Sequence, residues 1–223
     1  MKLGLSNIAL TQYTHESELI YVRDLGFSGL EVAPSRVWQD TWHGLKGSAV
    51  KKYLKLIERA GLKVIGLHSL FYDQKSLGLF TEGEQRFKTL DFLVHLSSVC
   101  RDLGGRTMIY GGGRWKGGMP ANLARKLAID FVSELIPRIE GHGTTLCFEP
   151  LGERDSDFIN SVSDSIDLVK YFNHPSFRVQ IDAKGLVENG ELSAEIFNRA
   201  KPFLVHVHTN EPDLGELGVS GAV

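Results

Sequence analysis

Residues 145–182 read TLCFEPLGERDSDFINSVSDSIDLVKYFNHPSFRVQID and contain the arrangement that decides the fold. Two short apolar segments, 145–149 and 178–182, have the length and composition of buried strands. An amphipathic helix separates them and stops before Asn173-His174-Pro175, because proline cannot continue a helix. A strand, a helix and a second strand in this order predict a parallel pair joined by a right-handed crossover.

The same unit recurs along the whole chain. The predicted strands are 2–8, 29–33, 63–68, 107–110, 145–149, 178–182 and 203–208. Glycine turns such as Asp102-Leu103-Gly104-Gly105 end the helices between them. Seven strands in regular alternation with helices predict the α/β class and a (β/α)8-type TIM barrel, with residues 1–223 as one domain. A doubly wound sheet is the alternative topology.

Composition narrows the class of protein. The 223 residues are 42% hydrophobic and 23% charged, with a formal net charge of −2. This balance argues against broad binding to nucleic acid, which favours a basic face. Cys100 and Cys147 each fall in an apolar run, which indicates buried thiols and fits a reducing cytoplasm. We see no signal peptide or membrane-spanning stretch, so the sequence predicts a cytoplasmic protein without a membrane partner.

Polar residues lie where several predicted strands end. His68, Glu149, Asp182 and His208 close strands three, five, six and seven. Active sites of parallel barrels lie at this carboxyl end. Side chains alternate along a strand, so Glu149, Asp182 and His208 should point inward and converge.

Carboxylates together with an imidazole suit Mn²⁺, Co²⁺, Fe²⁺ or Zn²⁺ better than Ca²⁺. His206 lies one layer deeper than His208, where we expect it to orient a ligand or to pack in the barrel. Each residue also has a simpler interpretation: Glu149 as a loop ion-pair partner, Asp182 as a helix cap, His68 as a buried structural histidine. Their coincidence on matching strand ends favours a site.

Three segments carry a family resemblance. They are residues 148–160, FEPLGERDSDFIN; His174-Pro175 before strand six; and residues 206–212, HVHTNEP. With them the chain, from residue 1 to about residue 218, resembles the sugar phosphate isomerase/epimerase family with a xylose-isomerase-like TIM barrel. Ketose 3-epimerases, hydroxypyruvate isomerase and endonuclease IV belong to that group.

The resemblance implies a metal-dependent isomerase or epimerase of carbohydrate metabolism. Its substrate would be a small keto-sugar or sugar phosphate, and the reaction would be proton transfer through an enediolate. Glu149 falls where relatives carry a residue that is both metal ligand and acid/base, and Asp182 and His208 fall at the second and third ligand positions. The implied cofactor is a divalent metal: Mn, Co, Mg, Fe or Zn.

Four more residues are candidates for binding substrate. Asp155 and Asn160 fall where relatives carry polar site residues, and His68 lies at the strand-three end. Arg114 follows the glycine run 111–113 and is available for an anionic group, although an ordinary flexible loop is the alternative there.

The chain departs from the family in two places. Gly185 stands three residues after Asp182, where relatives often carry a substrate-binding histidine, so the sugar stays open. The family's fourth ligand, a second catalytic Glu, lies on strand eight, whereas only the fourteen residues 210–223 follow strand seven, without a helix or strand pattern. We therefore expect a barrel truncated after strand seven, with little activity and with open edges that a second copy of the chain could cover.

Two other functions stay open at this point. One is a non-catalytic metal- or sugar-binding barrel remnant, which the missing strand supports. The other is a DNA repair phosphodiesterase like endonuclease IV, against which the acidic balance and the few histidines at strand ends count.

Overall fold

The computed structural model describes residues 3–223 and contains one seven-stranded parallel sheet. The strands run β1 Gly4–Ser6, β2 Gly29–Val32, β3 Lys63–Leu67, β4 Thr107–Tyr110, β5 Thr145–Phe148, β6 Phe177–Asp182 and β7 Leu204–His208. They are neighbours in chain order, β1 to β7. The seven predicted strands are confirmed with slightly different ends; of the predicted first strand, Lys2 lies outside the described residues.

Helices connect the strands and cover the outer face of the sheet. They run α1 Glu16–Asp24, α2 Gly47–Arg59, α3 Gly83–Asp102, α4 Ala121–Ile139, α5 Val162–Phe172, α6 Ala183–Glu188 and α7 Ala194–Ala200. In α4 the buried apolar residues Ala124, Ala128, Phe131 and Leu135 recur at steps of four, three and four residues. Such a stripe packs one face of the helix against the sheet.

The register between β6 and β7 fixes the level of the polar side chains. Gln180 is opposite His206, and Asp182 is opposite His208. Since alternate residues of a strand share a face, the two pairs form successive layers on one side of the sheet. The layer nearest the carboxyl ends contains Asp182 and His208.

The sheet curls into a barrel that stays open on one side. Within residues 3–223, β1 pairs only with β2 and β7 only with β6. Glu31 on β2 nevertheless contacts His208 on β7, with 2.8 Å between Oε2 and Nε2. Interior side chains thus meet across the inside of the barrel although the backbone edges do not pair.

The segment after β7 folds against the end of the barrel. It contains one short 3-10 turn, Pro212–Leu214. The buried Glu211 carboxylate accepts hydrogen bonds from the Gly218 amide, at 2.7 Å, and from the Ser220 hydroxyl. On the outer face of β7, Val205 and Val207 remain 47% and 44% exposed. None of the helices described within residues 3–223 combines the length and apolarity that crossing a membrane requires.

Candidate active site

The three predicted metal ligands converge at the carboxyl end of the barrel. His208 Nδ1 lies 3.1 Å from Glu149 Oε1 and 3.7 Å from Asp182 Oδ2. Glu149 comes directly after β5, and the other two residues end β6 and β7. Strand alternation, read from the sequence, predicts this meeting of two carboxylates and one imidazole.

A neighbouring polar group holds each carboxylate. Gln180 Nε2 donates to Glu149 Oε1 at 3.1 Å. Asp182 Oδ1 accepts from the Gly185 amide at 2.9 Å, and Asp182 Oδ2 accepts from Asn210 Nδ2 at 2.8 Å. Asp182 is therefore also the cap of α6, so its simpler sequence interpretation and its place in the cluster are both correct.

Two glycines allow the backbone to approach the cluster closely. A Cβ at Gly111 would collide with Glu149 Oε2, and a Cβ at Gly185 would lie 2.7 Å from the Pro150 carbonyl oxygen. The glycine run after β4 thus makes room for the Glu149 carboxylate. The Gly185 contact explains why a histidine does not fit there unless the Pro150 backbone moves.

The charges of the cluster depend on one another. Burial alone would lower the pKa of the His208 imidazole, but hydrogen bonding with Asp182, Glu149 and Glu31 raises that pKa to about 12. Burial would raise the pKa of Asp182, and hydrogen bonds from His208 and the Gly185 amide outweigh it and lower that pKa. Carboxylates therefore surround a single positive charge, that of the His208 ring. The same negative groups would also stabilise a divalent cation bound among them.

Glu31 is a member of the site that sequence reasoning missed. Its side chain is buried, with 4% of the residue exposed. Its Oε2 lies 2.8 Å from His208 Nε2, and its Oε1 lies 3.0 Å from His206 Nε2. Burial would raise the pKa of this carboxyl group, but the two histidines hold it well below its usual range. The available signal was a lone acid inside the otherwise apolar segment 29–33, because a buried charge needs partners.

His68 lies beside the cluster. Its Nε2 is 2.6 Å from the Ser6 hydroxyl oxygen, and its ring meets the His208 ring edge to face at 5.9 Å. Among the described residues, two groups of three donor atoms lie within 4.8 Å of one another: Glu31, His206, His208 and Glu149, Asp182, His208. His68 belongs to neither group, and its place at the mouth of the site, in contact with substrate or water, stays a prediction.

Two predicted substrate contacts lie in the loop after β5. Asp155 Oδ2 lies 2.7 Å from Lys184 Nζ in an exposed ion pair. Asn160 Nδ2 donates to the carbonyl oxygens of Leu151 and Ser156, at 2.8 and 2.7 Å. Asn160 thus shapes the loop, and direct contact of either residue with substrate stays a prediction.

Arg114 does not occupy the position expected of a free cation. Its guanidinium is fully buried and donates to the carbonyl oxygens of Gly111, Phe158 and Glu149, the first two at 2.6 and 2.9 Å. Burial lowers its pKa to about 10, so the group stays charged near neutral pH. The expectation of a group available to an anion is wrong for this structure, because backbone oxygens take up the donors and solvent does not reach the side chain. Arg114 instead joins the loops after β4 and β5.

A comparison with models of protein families shows which family the chain belongs to. The family model described as xylose isomerase-like TIM barrel matches residues 19–217. The chain belongs to this family. Curated protein sequences give no match. The family match agrees with the fold and with the clustering of polar residues at the carboxyl ends of the strands.

Solved structures of the same fold include several epimerases. A D-psicose 3-epimerase from Clostridium cellulolyticum is 18% identical with a TM-score of 0.79, covering 95% of this chain and 73% of that one. A 3-keto-D-glucoside 4-epimerase from E. coli is 17% identical with a TM-score of 0.80, covering 100% and 85%. A probable 3-DHS dehydratase from Bacillus anthracis is 13% identical with a TM-score of 0.72, covering 96% and 75%. At these identities the likeness establishes the fold, and the neighbours' reactions are not all of one kind.

Proposed function

We propose that the protein is a metal-dependent isomerase or epimerase acting on a small keto-sugar or sugar phosphate. The observation that carries the proposal is the meeting of Glu149, Asp182 and His208 at the ends of three adjacent strands. These residues would hold a divalent metal, whose mixed oxygen and nitrogen ligands suit Mn, Co, Fe or Zn, with Mg as a further candidate. When bound, the metal would supply Lewis-acid polarisation of a sugar carbonyl.

Glu149 is the residue proposed to move the proton. Its Oε1 accepts from Gln180 and lies against His208. In residues 3–223 no hydrogen bond reaches its Oε2, which faces Gly111. A carboxylate with one oxygen held and the other free is suited to removing a proton from the carbon next to a carbonyl.

The remaining residues would bind and orient the substrate. We place His68 at the mouth, in contact with substrate or a bound water, and assign Asp155 and Asn160 to the loop over the site. Epimerase neighbours in the same fold support a sugar substrate. The two buried free thiols, Cys100 and Cys147, support a reducing compartment such as the cytoplasm.

A second candidate is a protein that binds metal or sugar without turnover. It is favoured by the state of the other two acids of the cluster within residues 3–223. Both oxygens of Asp182 are already bonded, and Glu31 lies on the other side of the His208 ring from Glu149. Epimerisation usually needs a group that returns the proton as well as one that removes it.

Deuterium exchange tests the proposal at its first step. The protein is loaded with Mn²⁺, Co²⁺, Mg²⁺ or Zn²⁺ and incubated in D2O with ketoses and ketose phosphates, and deuterium at the carbon beside the carbonyl is followed by NMR. We expect exchange by the wild type, a loss of about 10²–10⁴-fold in Glu149→Gln, and no change in the matched variant Glu153→Gln, whose side chain is exposed. Wild-type rates in Glu149→Gln would contradict the role of Glu149. Binding of metal and sugar without any exchange would select the second candidate.

A further inference from the structure

The His208 ring is contacted by carboxylates from two opposite sides. Nδ1 lies 3.1 Å from Glu149 and 3.7 Å from Asp182, whereas Nε2 lies 2.8 Å from Glu31. The two nitrogens stand on different edges of the imidazole. Glu31 is therefore behind the ring as seen from the two other carboxylates.

We infer that Glu31 is a positioning residue that sets the tautomer and the orientation of His208. The Glu31 carboxylate accepts the proton on Nε2, and in the metal-free protein the Glu149 carboxylate accepts a second proton on Nδ1. A bound metal would take the place of that second proton, between Nδ1 and the carboxylates of Glu149 and Asp182. The inference rests on the proposed function, since it assigns Nδ1 as the metal ligand. A histidine ligand generally donates its other ring proton to a carboxylate or carbonyl, which fixes the ring and strengthens the ligand.

The placement of Glu31 suits this role. It lies on β2, between the ladders with β1 and β3, so its backbone is held on both sides. Its other oxygen lies 3.0 Å from His206 Nε2, and both imidazoles belong to β7. An ionised carboxylate buried to this degree is stable only with such partners. Through these two contacts, Glu31 connects β2 to the inner face of β7, on the other side of the barrel opening.

Two other roles for Glu31 fit the geometry less well. Glu31, His206 and His208 each offer one ligand atom, and these three atoms lie close enough together to bind a cation. A metal on Nε2 would displace the proton that Glu31 accepts, and only one carboxylate faces Nε2 whereas two face Nδ1. Charge therefore favours the metal at Nδ1. The intervening ring also keeps Glu31 away from a substrate bound beside Glu149, so it is not placed to act as a second acid/base.

The first experiment reads the tautomer in the unmodified protein. Long-range ¹H–¹⁵N NMR of the Zn²⁺-loaded wild type, with His208 assigned through His208→Gln, reports which ring nitrogen carries a proton and which binds metal. We expect one Zn²⁺ per chain, metal on Nδ1 and a proton on Nε2. Metal on Nε2, or two Zn²⁺ per chain with one lost in His206→Asn, would overturn the inference.

The second experiment measures what Glu31 contributes. Zn²⁺ affinity is determined by chelator competition for Glu31→Ala, for Glu31→Gln, whose amide oxygen still accepts the Nε2 proton, and for the exposed control Glu58→Gln. We expect a loss of about 10–100-fold in the alanine variant, a smaller loss in the glutamine variant and none in the control. Equal affinity in Glu31→Ala and wild type would overturn the inference alone. Failure of the wild type to bind any metal would overturn the proposed function as well, so the two failures are distinguishable.

Discussion

At the scale of single residues, Asp182 combines two tasks on its two carboxylate oxygens. Oδ1 caps α6 through the Gly185 amide, while Oδ2 is held by Asn210 beside His208. To cap a helix, the side chain needs only an oxygen that accepts a hydrogen bond. To bind a divalent metal in this cluster, it also needs the negative charge of a carboxylate. The two tasks can therefore be separated by substitution.

We predict that Asp182→Asn loses metal binding but keeps its fold. The asparagine side-chain oxygen still accepts from the Gly185 amide, so the cap of α6 is kept. Its NH2 group would face the donor Asn210 Nδ2, so the free energy of unfolding should fall by about 1–3 kcal/mol, less than in Asp182→Ala. Asp182→Ala should lose both the cap and the metal. Metal content by mass spectrometry and thermal unfolding of the metal-free proteins check this; an Asp182→Asn protein that binds metal as the wild type does would contradict it.

At the scale of strands and loops, the sequence predicts the elements better than their connections. Apolar segments bounded by glycine and proline identify all seven strands, and alternation places Glu149, Asp182 and His208 on one face. The same reasoning does not identify Glu31, because this residue precedes the end of its strand. Its partner His208 lies on β7, far away in the chain. Local patterns cannot reveal a contact made only when the sheet curls.

Loops are harder to predict because their side chains have several possible partners. The sequence around Arg114 is equally consistent with an exposed cation and with a buried cross-link. The structure selects the cross-link, since the carbonyl oxygens of Gly111, Phe158 and Glu149 converge on the guanidinium. That convergence depends on the packing of two loops, which neither loop specifies alone.

We predict that Arg114→Met destabilises the protein by about 3 kcal/mol or more. The change removes a donor from three carbonyl oxygens, of which the Phe158 oxygen keeps the Ser156 hydroxyl as a partner. Each of the other two, on Gly111 and Glu149, loses its Arg114 donor, and a buried polar group without a partner costs roughly 1–3 kcal/mol. The exposed Arg199→Met should change the free energy of unfolding by no more than about 0.5 kcal/mol. Urea denaturation of both variants checks the difference; similar midpoints would show that the cross-link contributes little.

At the scale of the whole molecule, the opening between β1 and β7 is the main departure from a closed barrel. Both strands have an edge that forms no ladder within residues 3–223, and the outer face of β7 exposes Val205 and Val207. Unpaired edges beside apolar surface favour association with another chain.

We predict concentration-dependent self-association through this opening. Val205→Lys together with Val207→Lys should shift the protein towards monomer, because charge on an edge strand opposes pairing. Tyr171→Lys, at an exposed apolar residue of α5, is the matched control and should have no such effect. Sedimentation velocity over a range of concentrations distinguishes the variants; a wild type that stays monomeric throughout, or an equal shift in the control, would contradict the prediction.

The contact between Glu31 and His208 also has a consequence for the order of events during synthesis. The two residues are 177 positions apart, so the nascent chain carries Glu31 long before β7 leaves the ribosome. Until then Glu31, Glu149 and Asp182 have neither His206 nor His208 to offset their charge, and their mutual repulsion disfavours closing the pocket early. Pairings between widely separated residues also form slowly, because a long loop must be closed first. The pocket should therefore assemble as a late folding event, after β7 has emerged, His208 has come between the carboxylates and His206 has reached Glu31.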